Sequence, residues 1–328
     1  MTSPDRVRIG VLGCADIAWR RTLPALAEAG RFDLVAMASR DGRKAAGFTG
    51  RFGGEPLTGY DALLARDDVD AVYIPLPPGL HAEWIERSLA AGKHVLAEKP
   101  LSTSVADTSR LAGLARAAGR VLWEDFAFLH HPQHEEVRRL VAGGAIGELR
   151  AATFAFTVPA RPEGDIRLRA DLGGGALLDA GVYPIRAALH LLGPELRVAG
   201  AVLRHDRAYG VDLGGTALVE APGGVSAALF FGLDDTYRNA YELHGTRGTL
   251  RLDRVFTPLE KHEPVIVIDG AGGHREIGLA PADQFAEAFR AFADAVIGRT
   301  TRDATRDDLL VRQAALVEAV RGTPHAMR

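Results

Sequence analysis

Apolar residues fall into two rhythms along this chain. Through the first third they form short unbroken runs: "RVRIGVLG", "FDLVAMAS", "DAVYIPLP", "HVLAE" and "RVLWE". A strand that is apolar on both faces is buried on both, as in a parallel sheet. Between the runs lie helical patterns, "DIAWRRTLPALAEAG", "DGRKAAGFTGRFG", "GLHAEWIERSLAAG" and "SVADTSRLAGLARAAG". Three of them stop at Gly30, Gly92 and Gly119, residues suited to left-handed C-terminal caps. Alternating strands and helices with short links predict a doubly wound α/β domain.

Beyond residue 125 the apolar positions alternate with polar ones, in "ELRAATFAFTV", "RVAGAVLRH", "GTALVEA", "GVSAALFFG", "NAYELHGT", "GTLRL" and "PVIVID". Such runs, joined by glycine-rich turns, predict a mostly antiparallel sheet with one covered face. Helical patterns fall at 132–142, around 176–192, at 281–298 and at 305–321. The expected organisation is a doubly wound domain over 1–124 and a second, largely antiparallel domain over 125–328.

Length and charge narrow the function. A chain of 328 residues accommodates two domains, and a net charge of −3 gives no argument for a nucleic-acid or anionic-membrane partner. The apolar runs near 7–12, 71–76 and 225–231 are strand-length, too short to span a bilayer. "MTSPDRVR" lacks the apolar core of a signal peptide, so a cytoplasmic protein is expected. The single cysteine, Cys14, excludes an intramolecular disulfide and a multi-cysteine metal cluster.

The first strand runs into "GVLGCADIA". A dinucleotide site needs a tight turn, close backbone approach to pyrophosphate and close helix packing. Gly13 and Ala18 fill the first and third roles, with Ala15 at the second. Cys14, Asp16 and Ile17 complete the turn, and a helix opening at Asp16 or Ile17 directs free N–H groups at phosphate. Cys14 is read as a small packed residue more than as a nucleophile. The second strand ends in "MASRDGRK", where Ser39, Arg40 and Lys44 suit a 2′-phosphate, while Asp41 comes one position late and reads as a helix N-cap. This favours NADP(H).

Ligands in open α/β sheets sit beyond the carboxyl ends of the strands. "IPLPP" places Pro75, Leu76 and Pro77 there, and "AEKP" places Glu98 and Lys99. Lys99 alone reads equally as a solvated lysine or as a fixed cation reaching ribose and substrate. His81 either lines the nicotinamide cleft or is a polar residue at a helix start. Trp19 covers the cofactor or only packs. In "GGGALLDAGVYP" small residues permit close approach of another backbone, here expected from the cofactor domain, and a helix would carry Asp179 and Tyr183 on one face. A phenol titrates near pH ~10 in isolation, and a neighbouring ammonium lowers that value, making Tyr183 a better proton donor to a nascent alkoxide. "HHPQH" invites a metal, but Pro132 breaks one-face spacing, and no metal is expected.

The ordered set "GVLGCADIA", "IPLPPGLHAEW", "HVLAEKPL" and "GGGALLDAGVYP" resembles the glucose–fructose oxidoreductase/inositol dehydrogenase family over essentially the whole chain. The resemblance implies an N-terminal Rossmann domain and a C-terminal α/β domain with an open sheet often used for oligomerisation, as a dimer or tetramer. Its Glu-Lys-Pro lysine matches Lys99 and its catalytic-helix aspartate matches Asp179. Tyr183 stands where many members have histidine, which resembles the NADP-dependent branch and argues against inositol oxidation. "RIGVLGCADIAWRRTLPAL" and "FAFLHHPQH" resemble the nucleotide-sugar 3-ketoreductases. That implies a dTDP-linked 3,4-diketo-2,6-dideoxyhexose reduced at C3 during deoxysugar biosynthesis. Arg161, Arg167 and Arg169 are candidate diphosphate cations, with Arg167 preferred because it fits the family's arginine before the glycine run. Phe128 and His131 are candidates for lining the sugar pocket, and Tyr237 for approaching base or sugar. Either Tyr183 or Lys99 is the immediate proton donor. The rival readings are an NADP-dependent sugar or dihydrodiol dehydrogenase working oxidatively, and a non-catalytic NADP(H)-binding regulator.

Overall fold

A computed structural model describes residues 5–298 and 304–323. Residues 1–4, the start of the stretch inspected for a leader, lie outside them. The described chain divides into two compact units.

The first unit is built on six strands: β1 (Val7–Leu12), β2 (Phe32–Ser39), β3 (Glu55–Thr58), β4 (Ala71–Ile74), β5 (His94–Glu98) and β6 (Leu122–Asp125). They lie parallel in the order β3-β2-β1-β4-β5-β6. That order reverses direction beside β1, the crevice where dinucleotides bind in such sheets. The helices between them are α1 (Leu23–Ala29), α2 (Gly42–Phe52), α3 (Tyr60–Leu64), α4 (Pro78–Ala90) and α5 (Val105–Ala117). Strand side chains alternate between faces. Val7, Ile9, Val11, Met37, Tyr73, Leu96 and Trp123 join one core with Leu23, Leu26 and Phe48. Leu12, Ala36, Ala38, Val72, Ile74, Val95, Ala97 and Leu122 join another with Leu63, Ile85, Leu89 and Leu111.

The second unit begins at Phe128 and includes α6 (Pro132–Ala142) and α7 (Val182–Leu192). Its sheet contains β7 (Leu149–Thr157), β8 (Arg197–Asp206), β9 (Val211–Glu220), β10 (Ser226–Gly232), β11 (Arg238–Gly245), β12 (Gly248–Asp253), β13 (Val265–Gly270) and β14 (Gly273–Gly278). The order is β14-β13-β12-β11-β7-β10-β9-β8; only β7 and β10 pair in parallel. Helix α7 packs on β7 and β10, where Phe154, Phe156, Ala227, Leu229 and Phe231 are buried. Alternate positions face the other way, and Val202, Leu218 and Phe230 are exposed there.

The short edge strands β3 and β14 lie outside the runs named from the sequence, and the domain assignment of one helix also differs. Helix α8 (Gln284–Val296), expected in the domain over 125–328, belongs to the first unit. Its Phe289 and Phe292 are buried against Phe32, Tyr73 and Trp123 in the first core. The physical reason is coverage: that face of the parallel sheet needs an apolar helix beyond α1, and no helix of the first third supplies it. In helix α9 (Ala304–Arg321), residues to Val311 belong to the first unit and those from Arg312 to the second. Among the described residues no helix is long and apolar enough to cross a membrane.

Candidate active site

In the first unit the site is organised by the turn after β1. Gly13 has φ +122°, a conformation that favours glycine, and a Cβ there would press on the end of the Leu76 side chain at 2.7 Å. Its N–H donates to Ala38 O at 3.0 Å, tying the turn to the end of β2. The helix opens at Asp16 and widens into a π turn over Ala18–Thr22 before α1. Pro24 has no N–H to give, and Leu23 N–H instead reaches Ala18 O. Asp16 forms an exposed ion pair with Arg20. Trp19 packs edge-on against Phe48 and Phe52, with Arg51 over its ring at 4.5 Å.

Ser39 is buried and its Oγ accepts Asp41 N–H at 3.1 Å. Asp41 caps α2 through Arg43 N–H at 2.9 Å. Cys14 is buried; burial raises its thiol pKa, opposed by the Lys44 charge and a hydrogen bond with Ser39. Those interactions bring Ser39 and Lys44 to the glycine turn. Tyr60, which the sequence reading missed, joins them. Burial raises its pKa, and the Arg40 charge and a hydrogen bond with Arg40 oppose the rise. Its only sequence signal is position: it begins the short helix after an edge strand. Hydroxyls of Ser39 and Tyr60 with the cations of Arg40 and Lys44 suit a 2′-phosphate, and the bare Gly13 turn suits a pyrophosphate. The residues present therefore fit NADP(H).

The other strand ends converge on the same edge. Leu76 packs on Gly13, with Pro75 beside it. Pro77 precedes α4 at its N-cap. His81 is fully buried, with Nδ1 2.8 Å from Pro100 O and Nε2 2.7 Å from Leu76 O. Burial lowers its pKa and the Lys99 charge adds to that, against the pull of the two carbonyls. His81 therefore does not line a cleft as one reading had it; its ring spans the two loops. Tyr73 Oη donates to Glu98 Oε1 at 2.7 Å, so Glu98 turns inward. Burial first and the Glu98 charge second push the carboxyl of Asp125, its neighbour in register on β6, well above the usual carboxylate range. Lys99 is half-buried, and Leu101 N–H donates to Glu124 Oε1 at 2.8 Å just beyond it.

In the second unit Asp179 lies in a π turn, Leu177–Gly181, and Tyr183 in the first turn of α7. The π turn, and not Pro184 alone, breaks the regular helix that the sequence pattern suggested. Arg167 Nε donates to Asp179 Oδ2 at 2.8 Å, and its Nη1 lies 3.3 Å from Asp165 Oδ1. The Asp179 charge is the chief cause raising the Arg167 pKa. The preferred diphosphate cation is thus engaged with two carboxylates, because its loop folds back onto the Asp179 segment. Arg169 pairs with Asp171 at an exposed site. Arg161 Nε finds no partner among the described residues.

At Gly174 and Gly175 close approaches come from within this unit. A Cβ on Gly174 would stand 2.5 Å from Arg167 O, and one on Gly175 2.4 Å from Asp212 Oδ1. Tyr183 is ringed by Phe156, Phe256 and Phe128 at 4.9, 5.6 and 5.9 Å between centroids. Phe128 is 1% exposed, so its contribution is to pack beneath Tyr183, not to line a sugar pocket. His131 is equally buried; its Nδ1 accepts Gln133 N–H at 3.2 Å and caps α6. His134 Nε2 lies 3.0 Å from Val255 O and Nδ1 3.1 Å from Tyr241 Oη. The described residues contain no group of three or more His, Cys, Asp or Glu arranged to hold a metal ion. Tyr237 is exposed, its hydroxyl accepting from Asn239 Nδ2 at 3.1 Å.

Comparison with known proteins adds relatives. The dTDP-3,4-didehydro-2,6-dideoxy-α-D-glucose 3-reductase of Actinomadura kijaniata is 54% identical over 96% of this chain and 95% of its own length. That of Streptomyces violaceoruber is 53% identical over 98% and 96%. A crystal structure of KijD10, a 3-ketoreductase from Actinomadura kijaniata, in a tyrosine-to-phenylalanine variant with TDP-benzene and NADP, has a TM-score of 0.95 at 52% identity. It covers 97% of this chain and 98% of that one. Residues 7–126 match the oxidoreductase family model with an NAD-binding Rossmann fold, and residues 134–251 match a C-terminal domain of the same family. With its strand order, its glycine turn and these relatives in agreement, the chain belongs to the Gfo/Idh/MocA oxidoreductase family.

Proposed function

We propose that the protein is an NADPH-dependent ketoreductase that reduces the C3 carbonyl of a dTDP-3,4-diketo-2,6-dideoxyhexose. The observation that carries this reading is the 54% identity, over 96% of the chain, to a reductase of that name. The chain's own residues supply the chemistry. NADPH, when bound, supplies a hydride from its nicotinamide C4. The Gly13–Ile17 turn and the helix start at Asp16 take the pyrophosphate, and Ser39, Arg40, Lys44 and Tyr60 take the 2′-phosphate. Pro75, Leu76 and Pro77 border the nicotinamide.

Tyr183 gives its hydroxyl proton to the carbonyl oxygen as the carbon becomes tetrahedral. The Lys99 ammonium stabilises the phenolate left behind and holds substrate and ribose hydroxyls. Asp179, fixed by Arg167, orients the group. The phenolate regains its proton from water, so ketone, NADPH and one proton yield alcohol and NADP+. Arg161, Arg167 and Arg169 are the cations proposed for the substrate diphosphate, Arg167 also holding Asp179. In this reading Tyr237 approaches the base or sugar from the sheet.

Tyr183→Phe tests the mechanism. Turnover of the dTDP-ketosugar should fall by about 10²–10⁴-fold, the usual worth of a positioned acid, with NADPH affinity retained. Unchanged turnover would pass the acid role to Lys99. Oxidation of free xylose by the wild type, with no reduction of the dTDP-ketosugar, would favour the oxidative dehydrogenase instead.

The open face of the second sheet is the surface we propose for homo-oligomerisation. Val202, Leu218 and Phe230 are exposed there at 69, 47 and 44%. Sedimentation should show an oligomer that Leu218→Lys with Phe230→Lys converts to monomer. A monomeric wild type would remove this proposal.

A further inference from the structure

The helical segment that carries Asp179 and Tyr183 starts without a local cap. Gly173, Gly174, Gly175 and Ala176 offer no side-chain acceptor, and Ala176 at the N-cap makes no side-chain hydrogen bond. A helix leaves its first N–H groups without partners inside the helix, and a nearby Ser, Thr, Asp or Asn usually accepts from them. Here the acceptor comes from far along the chain. Asp212, on β9, accepts Leu177 N–H through Oδ2 at 2.6 Å. Its other oxygen faces Gly175, which has φ +112° and no room for a Cβ.

Asp212 is itself fixed by the sheet, paired in register with His205 on β8. Burial raises its carboxyl pKa, opposed first by the hydrogen bond from Leu177 N–H and then by its own N–H. Leu177 opens the π turn that runs to Gly181, and α7 continues from Val182. A π turn closes i→i+5 hydrogen bonds in place of the i→i+4 bonds of an α-helix and is rare. The point at which it starts sets the rotation of everything after it, Asp179 and Tyr183 included. Phe231 of β10 packs where a Gly181 Cβ would be, so the far end of the turn is also set by the sheet.

We infer that Asp212 is a positioning residue for proton transfer: by capping Leu177 N–H from the sheet, it fixes the rotation at which Asp179 and Tyr183 are presented. It acts through those two side chains, and the inference rests on Tyr183 being the proton donor proposed above.

The test is a set of variants at Asp212 made alone and on a Tyr183→Phe background. Asp212→Ala removes the acceptor, Asp212→Asn keeps a carbonyl oxygen of the same reach, and Asp212→Ser offers a shorter acceptor should the alanine variant not fold. Thermal melting and NADPH titration count the folded, cofactor-competent protein; kcat and KM are then measured with the dTDP-ketosugar. Asp212→Ala should lose about 10–100-fold in kcat, the scale of a sub-ångström to 1 Å misplacement, with KM for NADPH unchanged. Asp212→Asn should restore most of that turnover, and Asp212→Ser should fall between the two. On the Tyr183→Phe background the alanine change should cost little more, since both act on one step. Full additivity on that background would overturn the inference. So would full turnover in Asp212→Ala, or a loss that only tracks the folded fraction. Tyr183→Phe with full turnover would remove the proton-donor assignment itself, and the inference with it.

Discussion

A 2′-phosphate is distinguished from a free ribose hydroxyl by the charges and hydroxyls that meet it. Ser39, Arg40 and Lys44 were legible as such a set because they follow the second strand directly in sequence. Tyr60 was not, because it arrives from the next helix, and only the fold brings its hydroxyl to Arg40. The same limit applies to Arg167. Its position before the glycine run suggested substrate, whereas its 2.8 Å bond to Asp179 depends on how the loop folds back. For Arg40 the consequence is measurable. A hydrogen bond to a charged group contributes about 1.5–3 kcal/mol, or roughly ten- to a hundredfold in affinity. Arg40→Ala should raise the NADPH dissociation constant by about that factor and leave NADH binding unchanged. Equal weakening of both cofactors, read by fluorescence titration, would place Arg40 away from the 2′-phosphate.

Helices and strands were easier to read than the contacts between them. The unbroken run "HVLAE" gave β5, and the position of Lys99 just past its end followed. What holds that end is not visible in any local pattern: His81 from α4 spans Leu76 O and Pro100 O, and Glu124 from β6 takes Leu101 N–H. In the second unit α6 and α7 enclose histidines that periodicity can only mark as polar. Burial first, and neighbouring histidine or arginine charges after it, depress His134 to about 3 and His131 and His190 to about 4. In the unfolded chain each titrates near pH ~6.5. The folded form therefore binds fewer protons, and its stability is full above that pH. As pH falls from about 6.5 towards 4, stability should drop by about 1.4 kcal/mol per pH unit for each site, levelling off below the folded values. Urea denaturation at a series of pH values should show that slope, and His134→Gln should flatten it by about one proton. An unchanged slope in the variant would mean that His134 is not buried neutral.

At the scale of the whole chain, the two rhythms of hydrophobicity gave five of the six parallel strands and seven of the eight in the second sheet, missing the short edge strands β3 and β14, and assigned α8 by proximity in sequence. The parallel sheet has two faces to cover, and α1 with the turn before it covers only part of one. Nothing in "QFAEAFRAFADAV" states which sheet its apolar face meets; the pattern reports that a face is buried, not against what. The structure gives the answer in Phe289, which meets Phe32 and Tyr73 at centroid distances of 5.7 and 5.8 Å. Residues 284–298 and 304–311 are thus part of the cofactor-binding unit although residues 128–283, of the other unit, precede them. Removing a buried phenyl ring from such a core costs about 3–5 kcal/mol, a large share of the stability of a typical domain. Phe289→Ala should therefore lower the melting temperature, and NADPH should recover part of the loss by binding only the folded form. A fragment ending before Gln284 should fail to bind NADPH, although it contains every residue assigned to the cofactor. Normal NADPH affinity in that fragment, measured by fluorescence titration, would show that the sheet stands without α8 and that the sequence boundary near 125 is the functional one.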